Sequence, residues 1–154
     1  KDYAAAGLKG KIPLFSSGFL TEGVTQAQGE AAEGLETCLH YADTLDNPEN
    51  AAFRAAYKER FGEEADVYGV QGYDTATLIR IGLEAVEGET GEREAMIAAM
   101  EKAEFASPRG PFKLSAAHNP VQNFYLREVR NGVNEVVGVA HEALADPAKG
   151  CRMA

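Results

Sequence analysis

A chain of 154 residues, 45% apolar and without Trp, is long enough for an ordinary domain with a real core. Its net charge of −9 is spread along the sequence and its basic residues are scattered singles. That excludes nucleic acid or an anionic membrane as the natural partner, because no Lys/Arg cluster could neutralise phosphates.

The opening Lys1–Gly10 reads as the last turns of a helix and its glycine stop. A fragment of a longer protein is therefore expected, and the lack of a visible signal peptide says nothing about compartment. No uninterrupted apolar run approaches the roughly 18 residues needed to span a bilayer. Lys11–Phe15 is a short apolar run with Pro13 inside it, consistent with a buried strand. Ser16–Phe19 follows as a small-residue loop, where a parallel strand would hand over to a helix. Thr21–Ala32, rich in Ala, Gln and Glu, reads as helix despite Gly23 and Gly29. Gly34–Tyr41 alternates enough to be a strand.

Asn47 and Pro48 mark a helix entry, a cap followed by proline at the first helical position. Phe53, Tyr57 and Phe61 then fall four apart on one face that reads as core, and Gly62 stops the helix. Asp66 caps the central helix of the chain, whose apolar positions Ala76, Ile79, Leu83 and Val86 recur at helical spacing, with Leu78 and Ile81 widening the stripe. Its first turn carries Tyr68, Gln71, Tyr73 and Asp74, an aromatic and polar group able to line a pocket for a small anionic or aromatic molecule. Half-buried packing of both tyrosines is the bland alternative. Gly88 lies where a left-handed stop is usual, and Thr90 or Glu92 opens a further helix, Arg93–Ala103.

From Ser107 the pattern turns to strands: a turn at Pro108–Pro111, a short strand at Phe112–Leu114 and a turn at Ala117–Pro120. Asn123–Arg130 and Val133–Ala140 are strands joined by Asn131-Gly132, the strongest short hairpin signal. Cys38 and Cys151 stand far enough apart for a disulfide to close a long loop, adding about 3–5 kcal/mol in an oxidising compartment. The alternatives are a buried thiol at Cys38 with an unrelated one at Cys151, or a cysteine partner in a missing part of the protein. No nucleophile elbow, Walker loop or dinucleotide fingerprint is present, and His40, His118 and His141 have no metal-ligand spacing. No catalytic residue, metal or cofactor is expected.

Taken as an ordered series, Leu35–Asp43, Asn47–Phe53, Tyr57–Gly62, Val67-Tyr68 running into Gly72–Asp74, Ser107–Phe112, His118–Pro120 and the final hairpin resemble the C-terminal part of the periplasmic solute-binding proteins of branched-chain amino-acid-type ABC transporters. The resemblance implies an α/β fold, a partial two-lobed type I periplasmic binding protein with parallel sheets flanked by helices and three hinge crossings in the intact protein. It assigns residues 1–40 to the second lobe, 41–122 to a return segment of the first, and 123–154 to a hinge crossing and the end of the second. Neither lobe is complete on that division, so stable folding alone is not expected. Ligand then lies in the cleft at the carboxyl ends of the strands. The implied ligand-binding residues are Ser17, Gly18, Phe19, Tyr41, Tyr68, Gln71 and Tyr73.

Gly18 falls where amino-acid binders of the family carry an acid for the ligand ammonium, although Glu22 is close in sequence; Tyr68 falls at an aromatic wall of the pocket. Both features resemble relatives that bind aromatic carboxylates of the hydroxybenzoate or hydroxycinnamate type. The implied partners are that ligand, a membrane permease and the missing N-terminal part of the protein, and the implied location is the periplasm. Alternatives are a binder of branched-chain or other hydrophobic amino acids and the ligand-sensing domain of a receptor. A small enzyme using Ser16 or Ser17 with His40 comes last, since no general base is placed by sequence.

Overall fold

A computed structural model describes residues 1–150. Five helices, α1 (Asp2–Ala5), α2 (Thr25–Gln28), α3 (Pro48–Phe61), α4 (Val67–Ala85) and α5 (Arg93–Glu101), flank a six-stranded sheet among the described residues. Its strands are β1 (Phe15–Ser17), β2 (Glu36–Leu39), β3 (Glu104–Ser107), β4 (Gly110–Leu114), β5 (Pro120–Arg130) and β6 (Val133–Leu144). Only β1 and β2 pair in parallel; β2–β5, β3–β4, β4–β5 and β5–β6 are antiparallel.

β5 is the strand on which the others converge. Pro120 and Val121 pair with β4, while Tyr125–Glu128 lie between β2 and β6. The β5–β6 hairpin turns at Asn131 and Gly132, both at positive φ, as an Asn-Gly pair permits.

The helix caps follow the sequence. Asn47 accepts from the Asn50 amide at 2.7 Å with Pro48 opening α3, and Gly62 ends that helix in the left-handed conformation. Asp66 accepts from the Gly69 amide at 2.9 Å and opens α4.

Other expectations are revised. Lys11–Phe15 is not a buried strand: β1 begins only at Phe15, and Ile12 and Phe15 are exposed, because β1 pairs on one side alone among the described residues. Thr21–Ala32 does not form one helix; α2 is a single turn, interrupted by left-handed backbone at Gly23 and Gly29. Of the aromatic stripe on α3, Phe53 reaches the core, while Tyr57 and the exposed Phe61 pack against each other along the helix with their rings tilted. The apolar stripe of α4 is only in part its core face: Val86, just past the helix end, is buried and Leu78, Ile81 and Leu83 are half-buried. Val67, Val70 and Asp74 are buried, whereas Ala76 and Ile79 look outward on the side of Tyr68. A further contact made by α4 is with α5, where a side chain at Gly82 would stand 2.9 Å from Met96 and Met100. β3 was not legible in advance, and β6 runs four residues beyond Ala140.

Two small cores result. Leu39, Tyr41, Val67 and Val70 form one, with Leu45 and Phe53 against it; Ala32, Leu35 and Val129 form the other, with Tyr3, Leu14 and Leu20. Among the described residues no helix is long and apolar enough to cross a membrane, and no group of His, Cys, Asp or Glu is placed to hold a metal.

Candidate functional site

The carboxyl ends of β1 and β2 bring the chain to the start of α4. β1 runs directly into a tight turn, Gly18–Leu20, and β2 into His40 and Tyr41. Over these two ends β5 places Arg127, which is 1% exposed. Its register explains the burial: Tyr125, Arg127 and Val129 are the inward residues of a strand in which alternate side chains share a face.

The Arg127 guanidinium is held from four directions. Nε donates to Thr37 Oγ1 at 3.3 Å, Nη1 to Glu22 Oε2 and to the Tyr41 carbonyl at 2.9 Å each, and Nη2 to the Gly18 carbonyl at 2.9 Å. A buried charge is tolerated when it is paired and its donors are satisfied, and here both conditions are met. Glu22 has no oxygen left over: Oε1 accepts from the Val67 amide at 3.2 Å, at the first residue of α4.

Gly18 is the tightest point of this loop. A Cβ on it would stand 2.4 Å from Arg127 Nη2 and 2.5 Å from Leu39 Cβ, so the position has room for no side chain at all. Phe19 emerges beside it and meets Tyr68 of α4 with ring centroids 6.0 Å apart and planes 27° apart. Both rings remain about half exposed, 48% and 59%. At that separation no third ring fits between them; together they offer one continuous aromatic face.

The other sequence candidates are distributed around this centre. Ser17 is exposed at the end of β1. Gln71, one turn beyond Tyr68, brings its amide nitrogen 3.3 Å from His40 Nε2. Burial, helped by the nearby charges of Arg109 and Arg127, lowers the His40 pKa to about 4. The ring is therefore neutral at neutral pH, and the Gln71 amide can donate to it. His40 meets Phe124 edge-on and makes no hydrogen bond to Ser16 or Ser17.

Two candidates stand apart from the aromatic face. Tyr73 packs against Phe53 at 5.2 Å on a different side of α4. Tyr41 is wholly buried and donates its hydroxyl to Asn50 Oδ1 at 2.9 Å; burial pushes its pKa upward. Its carbonyl, not its ring, serves the loop, through Arg127. Cys38 sits on β2, and Cys151, its candidate disulfide partner, lies outside the described residues.

Sequence reasoning missed the importance of Arg127. The available signal was an arginine alternating with Tyr125 and Val129 along one face of the strand. It also missed a second buried ion pair: Arg109 Nε donates to Asp74 Oδ2 at 2.7 Å, and Nη1 to Gln122 Oε1 at 2.6 Å. Burial holds the Asp74 carboxyl above its usual range despite the opposing pull of Ser107 and Arg109. Arg109 borders an open hollow of about 750 Å3 that includes Phe105, Phe112 and Gln122 and is lined by neither Phe19 nor Tyr68.

Comparison with known proteins gives this arrangement a context. Residues 1–134 match the family described as periplasmic binding protein. A Leu/Ile/Val-binding protein homolog 6 of Brucella abortus is 37% identical over 134 residues, which is 84% of this chain and 34% of the relative. A solute-binding protein of an ABC transporter from R. palustris, solved in complex with benzoate, superposes with a TM-score of 0.92 and 53% identity, over 99% of this chain and 42% of that one. A second, from Rhodopseudomonas palustris HaA2 in complex with p-hydroxybenzoic acid, gives a TM-score of 0.85 and 31% identity, over 99% of this chain and 43% of that one. The chain thus spans less than half the length of each of these relatives.

Proposed function

The chain belongs to the periplasmic binding protein family, and we propose that it supplies part of the interlobe cleft of an ABC importer's solute-binding component, specific for a small aromatic carboxylate of the hydroxybenzoate or hydroxycinnamate type. On this reading residues 1–40 and 123–154 are parts of the second lobe and its hinge crossing, residues 41–122 return to the first lobe, and the preceding part of the same polypeptide completes both. The protein works in the periplasm, where the family acts, and hands its ligand to the membrane permease without chemical change.

The observation that carries the reading is the pairing of a half-exposed aromatic face, Phe19 with Tyr68, with a loop that has no free carboxylate. An α-amino acid needs a countercharge for its ammonium, since an unpaired buried charge is costly. Gly18 has no room for an acidic side chain, and Glu22 is consumed by Arg127 and Val67. A benzoate ring needs only an apolar face and a few polar contacts, and an aromatic pair is worth about 0.5–1.5 kcal/mol beyond its buried area. Ser17 and Gln71 are the polar groups beside that face, and Tyr41 and Tyr73 contribute by shaping the elements that carry it. The complexes of the two Rhodopseudomonas relatives with benzoate and p-hydroxybenzoic acid support the same ligand class.

The likeness to the Brucella Leu/Ile/Val-binding homolog favours a second reading, a binder of branched-chain or other hydrophobic amino acids. Titration calorimetry on the complete polypeptide separates the two. Benzoate, 4-hydroxybenzoate and 4-hydroxycinnamate are expected to bind in the micromolar range or tighter, and leucine not to bind. Binding of leucine with no response to the three acids would overturn the proposal.

A further inference from the structure

We infer that Glu22 is a positioning residue of the ligand cleft: anchored by Arg127, it closes its second carboxylate oxygen on the first N–H of α4 and so holds Phe19 against Tyr68. The inference rests on the aromatic-acid reading above and adds to it the device that sets the geometry of the aromatic face.

Glu22 is fixed on its own side by a rigid support. Arg127 is immobilised by Thr37, the Gly18 carbonyl and the Tyr41 carbonyl, and its Nη1 meets Glu22 Oε2 at 2.9 Å. The loop between Gly18 and Glu22 is equally constrained. Thr21 is wholly buried, and its hydroxyl lies 3.3 Å from the Gly18 carbonyl and 2.6 Å from Asn134 Oδ1. The position of the Glu22 carboxylate is therefore transmitted to Phe19, three residues earlier in the same loop.

On the opposite side, Val67 is the first residue of α4, and its N–H has no partner within the helix. Glu22 Oε1 accepts it at 3.2 Å and places a negative charge at the positive end of the helix. Tyr68 is the next residue along. The carboxylate and the stacked rings are thus two adjacent ties between the segment assigned to the second lobe and the helix assigned to the first. Opening the cleft would break both ties, and a ligand lying across the two rings would favour the state in which both are made.

The two oxygens have separate tasks, and this makes the residue testable. An amide has one acceptor oxygen and no charge, so Glu22→Gln takes the acceptor from one side, turning an NH2 group toward either Arg127 Nη1, which keeps only the Tyr41 carbonyl, or the Val67 N–H, which keeps none. In the complete polypeptide, stopped-flow measurement with benzoate is expected to show dissociation about tenfold faster, the equivalent of one hydrogen bond to a charged group, with association changed less than twofold. Asp66→Ala is the control: it removes the side-chain cap of the same helix end, at the Gly69 amide, without touching the 18–22 loop. It is expected to lower the melting temperature of the free protein while leaving benzoate dissociation within twofold. Unchanged dissociation in Glu22→Gln, or an equal acceleration in both variants for an equal loss of melting temperature, overturns the inference. Should Glu22→Gln not fold, Glu22→Asp takes its place, being one methylene short of spanning both partners. If the unsubstituted protein binds leucine and not benzoate, the aromatic reading fails. The variants are then compared on leucine, where equal dissociation rates overturn the positioning role.

Discussion

Adding one methyl group at Gly18 tests the geometry of the site most directly. In Gly18→Ala the new Cβ meets Arg127 Nη2 at 2.4 Å, Leu39 Cβ at 2.5 Å and Leu39 Cδ2 at 2.9 Å, all well inside ordinary contact. Neither neighbour can yield. Leu39 Cβ is fixed to the backbone of β2, where Leu39 pairs with Tyr125, and Arg127 is held by hydrogen bonds to β2, the 18–22 loop and the Tyr41 carbonyl. Overpacking of a buried site costs about 1–3 kcal/mol. Displacing Nη2 from the Gly18 carbonyl adds about 1.5–3 kcal/mol for a charged hydrogen bond. The reduced freedom of the unfolded chain returns about 0.4–1 kcal/mol, since glycine is replaced by alanine. The net expectation is a loss of about 3–4 kcal/mol. Gly72→Ala is the matched control, because nothing lies within 4 Å of a Cβ there and the residue is inside α4. It should gain about 0.5–1 kcal/mol. Urea unfolding of the complete polypeptide, followed by circular dichroism, measures both. A loss below about 1 kcal/mol for Gly18→Ala would mean that the loop can yield, and the argument that no acidic side chain fits at this position would fail with it.

Two further outcomes follow from the buried charges. His40 has its folded pKa lowered to about 4 from 6.5. The unfolded chain therefore takes up a proton that the folded one refuses, so its contribution to stability is full above about pH 6.5 and falls as the pH drops toward 4. The loss is about 2 kcal/mol between pH 7.5 and pH 5, and His40→Gln should remove that part of the pH dependence; an unchanged slope in urea titrations refutes it. Arg109→Met strands the Asp74 carboxylate and should cost about 3–5 kcal/mol, while the added Asp74→Leu recovers most of it, because burying neither charge is cheaper than burying one. Equal stability of the single and double variants in denaturant refutes that account.

Local signals carried the sequence reading where the chemistry is local. Asn47-Pro48, Asp66, Gly62 and Asn131-Gly132 each act through their own backbone within a few residues, and each stands in the structure as its residue type requires. The family resemblance was likewise legible, since it depends on the order of such turns along the whole chain. Phe19 and Tyr68 were named from that resemblance, and they meet.

Partners distant in sequence could not be read in this way. Helical periodicity indicates that α4 has an apolar stripe, but Val67, Val70 and Asp74 face the core while Ile79 does not, because neighbouring elements choose the face. The same holds for Arg127, an ordinary surface residue by composition, which becomes the centre of the site only when the pairing of β5 with β2 turns it inward. Glu22 shows the division most clearly. By sequence alone it is one acid among many and a possible countercharge for an amine; in three dimensions its two oxygens are claimed by residues 105 and 45 positions away. Residue type and spacing decide which hydrogen bonds a segment can make with itself, whereas the tertiary fold decides which charges are left free to meet a ligand.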